Sequence, residues 1–435
     1  MFSARIGPIS QTIVSTGWIN TITSSVNQNF AFLYANSSGT AFYTYSSNTG
    51  TLLKFDNTGN IIWQKVYSAL LNATMPLLID NSENIYFINT ANTYTTFVVT
   101  KINSSGTVIY TNTFTIGAGT MSIGWWVINN TGTTIYVFGT STTSNPYLNF
   151  LINTSTGAYS SPYFVLTTTS GGTTPAGYSG GLVSAFYNAD QTLGYYTITS
   201  TSPTQGQWIR YNAGGDTISA SYNVYKTGIN YGTYFGQAAI DSNNNFYVYD
   251  FDSINSKIMF TGFNNGSPTP SRGIFTIPVS SISDIRGLAC DSSGALIIAG
   301  YTNETYPRVW LASVTNSVFN WQVYIASTTS STSLSVVWRQ IVVNNNYVLI
   351  FASNNISGSQ YPVFLKLPVT GPTPNTYGSW IISTASVVLT ALNYTSFNNA
   401  PNSPNNGGSP TLASSTTTNT VTTGTIGAIT QTITS

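Results

Sequence analysis

One phrase recurs seven times along this chain, and no other feature narrows the fold as much. It is an apolar run, a polar turn and a second apolar run. It stands first as LYANSSGTAFY from Leu33, then as LLIDNSENIYFI from Leu77, WVINNTGTTIYVFG from Trp126 and SAFYNADQTLGYYTI from Ser184. It continues as AAIDSNNNFYVYD from Ala238, LACDSSGALIIAG from Leu288 and IVVNNNYVLIFA from Ile341. After each copy comes a second phrase of the same kind, again in seven copies. Its clearest forms are LLKFDNTGNIIWQKVY from Leu52, VVTKINSSGTVIYTNTF from Val98 and PVFLKLPVTGPTPNTYGSWII from Pro362. Successive starts lie roughly 40 to 60 residues apart, the period of propeller blades. Short runs of Val, Ile, Tyr, Phe and Thr broken by Asn, Asp, Ser and Gly read as strands and hairpin turns.

The rare charges test the repeat. Lys54, Lys101, Arg210 and Lys366 each stand five residues before a turn glycine (Gly59, Gly106, Gly215, Gly371). Four of only 12 cations therefore share one repeat position. Each unit reads as two hairpins, hence four antiparallel strands. A single such sheet cannot bury both faces; stacking like sheets around an axis does so. The expected fold is all-β, a seven-bladed β-propeller of four-stranded antiparallel blades with N- and C-terminal strand arms. A set of β-sandwiches is the competing all-β reading, but it would not require a near-constant period of two hairpins. The expected organisation is an N-terminal strand arm over 1–25, a propeller over 26–384 and a linker over 385–425 rich in Pro, Asn, Gly, Ser and Thr. A C-terminal strand over 426–435 follows. The blades are expected near 26–68, 69–117, 118–168, 169–228, 229–279, 280–328 and 329–384.

The stretches Ala239 to Val248 (AIDSNNNFYV) and Lys54 to Trp63 (KFDNTGNIIW) resemble the bacterial-type β-propeller repeats of secreted and surface proteins and of viral gene products. The resemblance spans roughly residues 26–384, and the lysine is missing from blades three, five and six. It implies a fold; propellers host many activities.

Composition bears on function by exclusion. Charged residues make up 5% of the chain, against about 25% in ordinary soluble domains, and 12 cations face 11 anions. No basic field exists to attract nucleic acid or anionic lipid. Histidine is absent, which removes the commonest general base and metal ligand. The one cysteine, Cys290, sits in an apolar run and reads as a small core residue. MFSARIGPISQTIVS has no cationic segment followed by an apolar core, so no signal peptide is expected, and no apolar run is long enough to span a membrane.

Candidate chemistry is sparse. Asp241, Asn243 and Asn245 alternate oxygen ligands as a calcium loop does, yet the same Asp/Asn position recurs in other copies, where turn hydrogen bonds account for it. Asp250 and Asp252 are two apart and so share a face in a strand, with Asp284 expected later in the same blade; carboxylates are the residue type a glycosidase or lyase needs in pairs. Solvated turn carboxylates are the simpler reading. Trp125, Trp126, Tyr195, Tyr196, Tyr231 and Tyr234 offer ring faces to sugars, and packing between blades competes for every one of them. The four aligned cations read either as a polar rim meeting a partner or, more simply, as solvated strand positions.

The two ends echo each other. IGPISQTIVS, from Ile6 through Ile9, Gln11 and Ile13, matches IGAITQTITS, with Ile426, Ile429, Gln431 and Ile433, at seven of ten positions. Both lie outside the repeats. They are expected either to close or cap one propeller side by side or to pair with a neighbouring copy. Composition loosely resembles phage or giant-virus structural proteins. The expectation is therefore a non-enzymatic structural protein without cofactor, a virion or fibre component. It would form homo-oligomers or a larger viral or extracellular assembly through strand addition. An adhesin or lectin-like propeller binding cell-surface glycans is the alternative, with a glycosidase or lyase third.

Overall fold

The computed structural model describes residues 6–14, 17–24, 30–36, 38–71, 73, 75–90, 96–116, 121–129, 131–141, 147–160, 166–168, 184–187, 193–199, 205–211, 218–224, 231–232, 239–241, 243, 245–252, 255–263, 275–329, 333–343, 346–356, 359–391, 404–406, 412–415 and 432–433, several strands among them by backbone path alone. Apart from one 3-10 turn at Ser68–Leu70, every regular element among these residues is a strand.

The strands form seven sheets of four or more among the described residues, each beginning with four antiparallel neighbours or nearly so. The first holds Phe30–Ala35, Ala41–Ser46, Thr51–Asp56 and Ile61–Val66 in chain order. The second runs Leu78–Ile79, Ile85–Thr90, Thr96–Ile102, Val108–Ile116. The third runs Met121–Ile128, Thr134–Ser141, Tyr147–Asn153, Tyr159–Ser160, and the fourth Ser184–Tyr187, Leu193–Thr199, Gln205–Tyr211, Ile218–Val224. In the fifth, Tyr231–Gly232 and Ala239–Ile240 both pair with Phe246–Asp252, followed by Lys257–Phe263 and Phe275–Pro278. The sixth starts Ile282–Cys290, Leu296–Thr302, Val309–Thr315, Val318–Ser327. The seventh starts Ser333–Val343, Tyr347–Ile356, Ser359–Pro368.

Period-two alternation feeds two cores from one strand, because successive side chains leave opposite faces. In Leu296–Thr302, Leu296 and Ile298 join the core shared with the fifth sheet, while Ile297 and Ala299 join the core shared with the seventh. Tyr347–Ile356 does the same: Val348, Ile350 and Ala352 face the sixth sheet, and Tyr347, Leu349 and Phe351 face the first. The last repeat sheet thus packs on the first, through Leu33, Phe42, Leu53 and Phe55. Further cores join first to second and second to third, and the third sheet's Met121–Ile128 lies against the fourth's Ser184–Tyr187. A continuous run of apolar residues, rather than an alternating one, is what two-sided burial demands.

The structure departs from the sequence reading at the ends. The seventh sheet takes its fourth strand from Gly17–Ser24, which pairs with Ser359–Pro368 through Trp18↔Lys366 to Thr21↔Val363 and buries Ile19 completely. The stretch expected to finish that sheet instead forms the hairpin Asn375–Tyr377 and Trp380–Thr384 on the sixth sheet's Val318–Ser327. Pro372 and Pro374 lie directly after Gly371. Without N–H groups they cannot bond back to Ser359–Pro368, so the edge is left for another strand.

The stretch read as a linker also lays strands on sheet edges. Thr390–Ala391 pairs with Phe275–Thr276 of the fifth sheet, Pro404–Asn406 with Leu166–Thr168, and Leu412–Ser415 with Thr113–Ile116 of the second. Thr432–Ile433 pairs parallel with Ser10–Gln11, whose strand Ile6–Val14 is antiparallel to Gly17–Ser24. The sheets are met in descending order from sixth to fifth to second, and the end then reaches the seventh.

Candidate functional site

The polar turns explain themselves first. In the first hairpins Asp80 Oδ1 accepts the N–H groups of Ser82 and Asn84, each at 2.9 Å, and Asp291 Oδ1 accepts those of Ser293 and Ala295 at 2.8 and 2.9 Å. In the outer hairpins Asp56 and Asn103 do the same for Thr58 and Asn60, and for Ser105 and Thr107. Asp241 follows the pattern: Oδ1 accepts the N–H groups of Asn243 and Asn245, and Oδ2 accepts the Asn245 amide at 2.8 Å. These oxygens close a turn, as short Asp side chains do. Among the described residues no three His, Cys, Asp or Glu side chains are grouped to hold a metal ion.

Among the aligned cations whose side chains are described, Lys54 and Lys101 are buried and Lys366 is half-buried, contrary to the simpler expectation of solvated positions. Lys54 and Lys101 are each only 9% exposed. Each lysine crosses to the next sheet and donates to one carbonyl of its outer turn. Lys54 Nζ lies 3.2 Å from Ser104 O, Lys101 Nζ 2.9 Å from Thr154 O, and Lys366 Nζ 2.7 Å from Asn57 O. The last contact joins the seventh sheet to the first. All three carbonyls belong to the second residue of the outer turn. Val369 holds that place in the seventh sheet, and Trp321 of the sixth donates its indole N–H to it at 3.0 Å. Trp63 and Tyr110 reinforce the pattern, reaching Ser104 O at 3.1 Å and Thr154 O at 3.4 Å.

A ring supports each ammonium. Tyr43 stands opposite Lys54 and Tyr86 opposite Lys101 on neighbouring strands, placing the charges 5.3 and 5.2 Å from the ring centres. Lys366 lies 4.5 Å from that of Tyr347. Burial lowers the Lys366 pKa, and the charge of Asp56 pulls it partly back. A charged hydrogen bond of about 1.5–3 kcal/mol and a cation–π contact of about 0.5–2 kcal/mol offset the desolvation. Arg210 pairs by its backbone with Gly194 and Ala220; its side chain lies outside the described residues.

Glu83 completes the junction of first and second sheets, and the repeat gave no signal for it. It holds the turn position occupied by Gly39 and Gly294 in equivalent hairpins, at φ 59°, where a side chain is strained. From there its carboxylate accepts from Asn36 Nδ2 at 2.6 Å, Tyr43 Oη at 3.1 Å and Lys54 Nζ at 3.2 Å. The Asn36 hydrogen bond, against a burial penalty and with help from Lys54 and Tyr43, holds its pKa below the usual range.

The carboxylates considered for catalysis do not belong to one sheet, contrary to the expectation of one blade: Asp284 stands in the next sheet along the chain. Asp250 and Asp252 belong to the second strand of the fifth sheet, and their side chains lie outside the described residues. Asp284 is on the first strand of the sixth, buried, 2.8 Å from Arg286 Nη2. Burial raises its pKa, while Arg286 and the Ile285 N–H act against the rise. Trp126 presents no ring to solvent: it is fully buried in the core between second and third sheets and donates to Pro76 O at 2.6 Å. Trp125, Tyr195, Tyr196 and Tyr231 are placed by backbone pairing alone, and Tyr234 lies outside the described residues. So do Ile426, Ile429 and Gln431, whereas Ile6, Ile9, Gln11, Ile13 and Ile433 are placed by the backbone of paired strands. Cys290 is half-buried against the core of fifth and sixth sheets.

No family model matches the sequence, and no curated protein matches it. Solved structures do. The β-propeller domain of Myceliophteria thermophila Cps50 (Swd1) superposes with a TM-score of 0.50 at 10% identity, over 81% of this chain and 99% of that one. Kuenenia stuttgartiensis hydrazine synthase gives 0.46 at 12% identity, over 66% and 78%. Kluyveromyces lactis Hsv2 gives 0.43 at 8% identity, over 77% and 97%. Identities this low bear on fold alone, and the first likeness supports the fold read from the sheets: a β-propeller.

Proposed function

We propose that the seven sheets are the blades of one seven-bladed ring, and that the protein is a non-enzymatic structural body assembling through its terminal strands. The observation that carries this reading is where the scarce polar groups go. Lys54, Lys101 and Lys366 bridge adjacent sheets, and Asp56, Asp80, Asp241 and Asp291 close turns, which leaves those charges to hold a body together. The terminal strands meanwhile extend sheet edges, the geometry by which extended segments join β-proteins. A charge-poor surface offers little repulsion between copies, which suits a virion or fibre component. Sedimentation velocity and electron microscopy of the full chain test the reading: concentration-dependent oligomers or filaments are expected, and a strictly monomeric chain sinks it. Saturable binding on a glycan array by a monomer would instead favour the lectin reading.

A further inference from the structure

We propose that the outer edge of the first sheet, Ile61–Val66, is a docking site for the C-terminal strand of a second copy of this chain. The inference rests on the terminal-strand assembly reading and names its acceptor. The last repeat strands of the second, fifth and sixth sheets each carry an added strand from residues 375–415, and the seventh carries Gly17–Ser24, Ile6–Val14 and Thr432–Ile433. In the first sheet Ile61–Val66 is the last strand, and among the described residues nothing pairs with its outer side; the same holds for Tyr159–Ser160 of the third sheet, only two residues long, and for Ile218–Val224 of the fourth.

The register shows how this edge differs from that of the second sheet. Lys54 stands opposite Trp63 as Lys101 stands opposite Tyr110, so Val66 corresponds to Thr113, where Leu412–Ser415 begins its pairing. At that point the first sheet turns away. Tyr67 N–H bonds to Gly50 O, and the 3-10 turn Ser68–Leu70 follows. The place that receives the chain's own tail in the second sheet is therefore missing here, and among the described residues Ile61–Val66 has no strand on its outer side. Trp63 and Lys65 reach the second sheet through Ser104 O and Ser105 O. Ile62 is left 53% exposed on the other face. Six residues of open strand offer about 20 Å of pairing.

The donor follows from the echo at the chain ends. IGPISQTIV is itself an added strand on Gly17–Ser24, and IGAITQTITS repeats it. No charged side chain follows Lys366, so nothing in the donor opposes Lys65, a residue type that keeps less suitable strands off an edge.

Three full-length proteins decide the matter by sedimentation velocity: wild type, Ile62→Lys and Ile433→Lys. Wild type is expected to self-associate, and each variant at least tenfold more weakly. An equimolar mixture of the two variants should recover a dimer, since one keeps the donor and the other the acceptor. The synthetic peptide IGAITQTITS should slow amide exchange over 61–66 in wild type and not in Ile62→Lys. If Ile62→Lys associates like wild type while Ile433→Lys stays monomeric, this acceptor is wrong and the terminal-strand reading stands. If both associate like wild type, or if wild type is monomeric throughout, both readings fall. Should Ile62→Lys melt below wild type, Ile62→Thr replaces it; wild-type association by that variant also overturns the assignment.

Discussion

A lysine in a nearly uncharged protein is conspicuous because its burial must be matched by specific partners. Lys101 illustrates the case: its ammonium is held between a carbonyl of the next sheet and two tyrosine rings. Lys101→Met keeps the length and removes the charge, so Thr154 O loses its short donor. A loss of about 1.5–3 kcal/mol in urea unfolding is expected; Lys65→Met, at a more exposed contact, should cost less than about 1 kcal/mol. Glu83 adds a pH signature. Its folded-state pKa lies below its ordinary value of 4.5, so its contribution is present above that value and is lost as pH falls through the folded one. Melting temperatures of wild type and Glu83→Gln should therefore differ at neutral pH and converge in acid. Parallel curves from pH 7 down to 2 would show that the carboxylate contributes nothing.

At the level of the strand, alternation decides which substitutions matter. Ile298 is fully buried between fifth and sixth sheets, whereas Ile381 is 38% exposed on the added hairpin. Ile298→Ala should cost about 2–5 kcal/mol in denaturant titration, and Ile381→Ala less than about 1 kcal/mol. The strands and their hairpin order were legible because many turns carry Asp or Asn before a left-handed glycine, as at Asp56 with Gly59 and Asn103 with Gly106. The shared position of Lys54, Lys101 and Lys366 was also legible, but not its role. Whether an aligned cation faces water or the next sheet depends on how neighbouring sheets stack, which periodicity along one strand does not encode. Trp63 and Tyr110, each four residues beyond its turn glycine and opposite an aligned lysine, carried part of the missing signal, although Asn375 and Ser219 hold that place in the copies with Lys366 and Arg210.

Across the whole molecule, the reading failed where pairing joins residues far apart. A repeat predicts that each sheet is completed by its own neighbours in sequence, and Trp380 fits that pattern well enough to pass for a blade strand. Its indole instead enters the core of sixth and seventh sheets from the sixth. Gly17–Ser24 carries no mark in its own sequence that its partner lies at residues 363–366. Loop closure over that separation is costly in entropy, though the cost grows only slowly with length. The added strands over 390–415 were read as linker because two to four paired residues leave little trace in composition.

That long-range pairing sets a schedule for birth on the ribosome. Trp18 emerges first, and its partner Lys366 emerges close to 350 codons later, a wait of roughly 20–70 s at about 5–20 residues per second. During that interval Gly17–Ser24 has Ile6–Val14 on one edge, while its other edge waits for residues 363–366. Ribosome-bound chains stalled before residue 363 should be cut by protease within residues 17–24, and chains stalled well past residue 400 should resist. Equal resistance at both lengths would mean that the first strands find a partner before the last sheet exists.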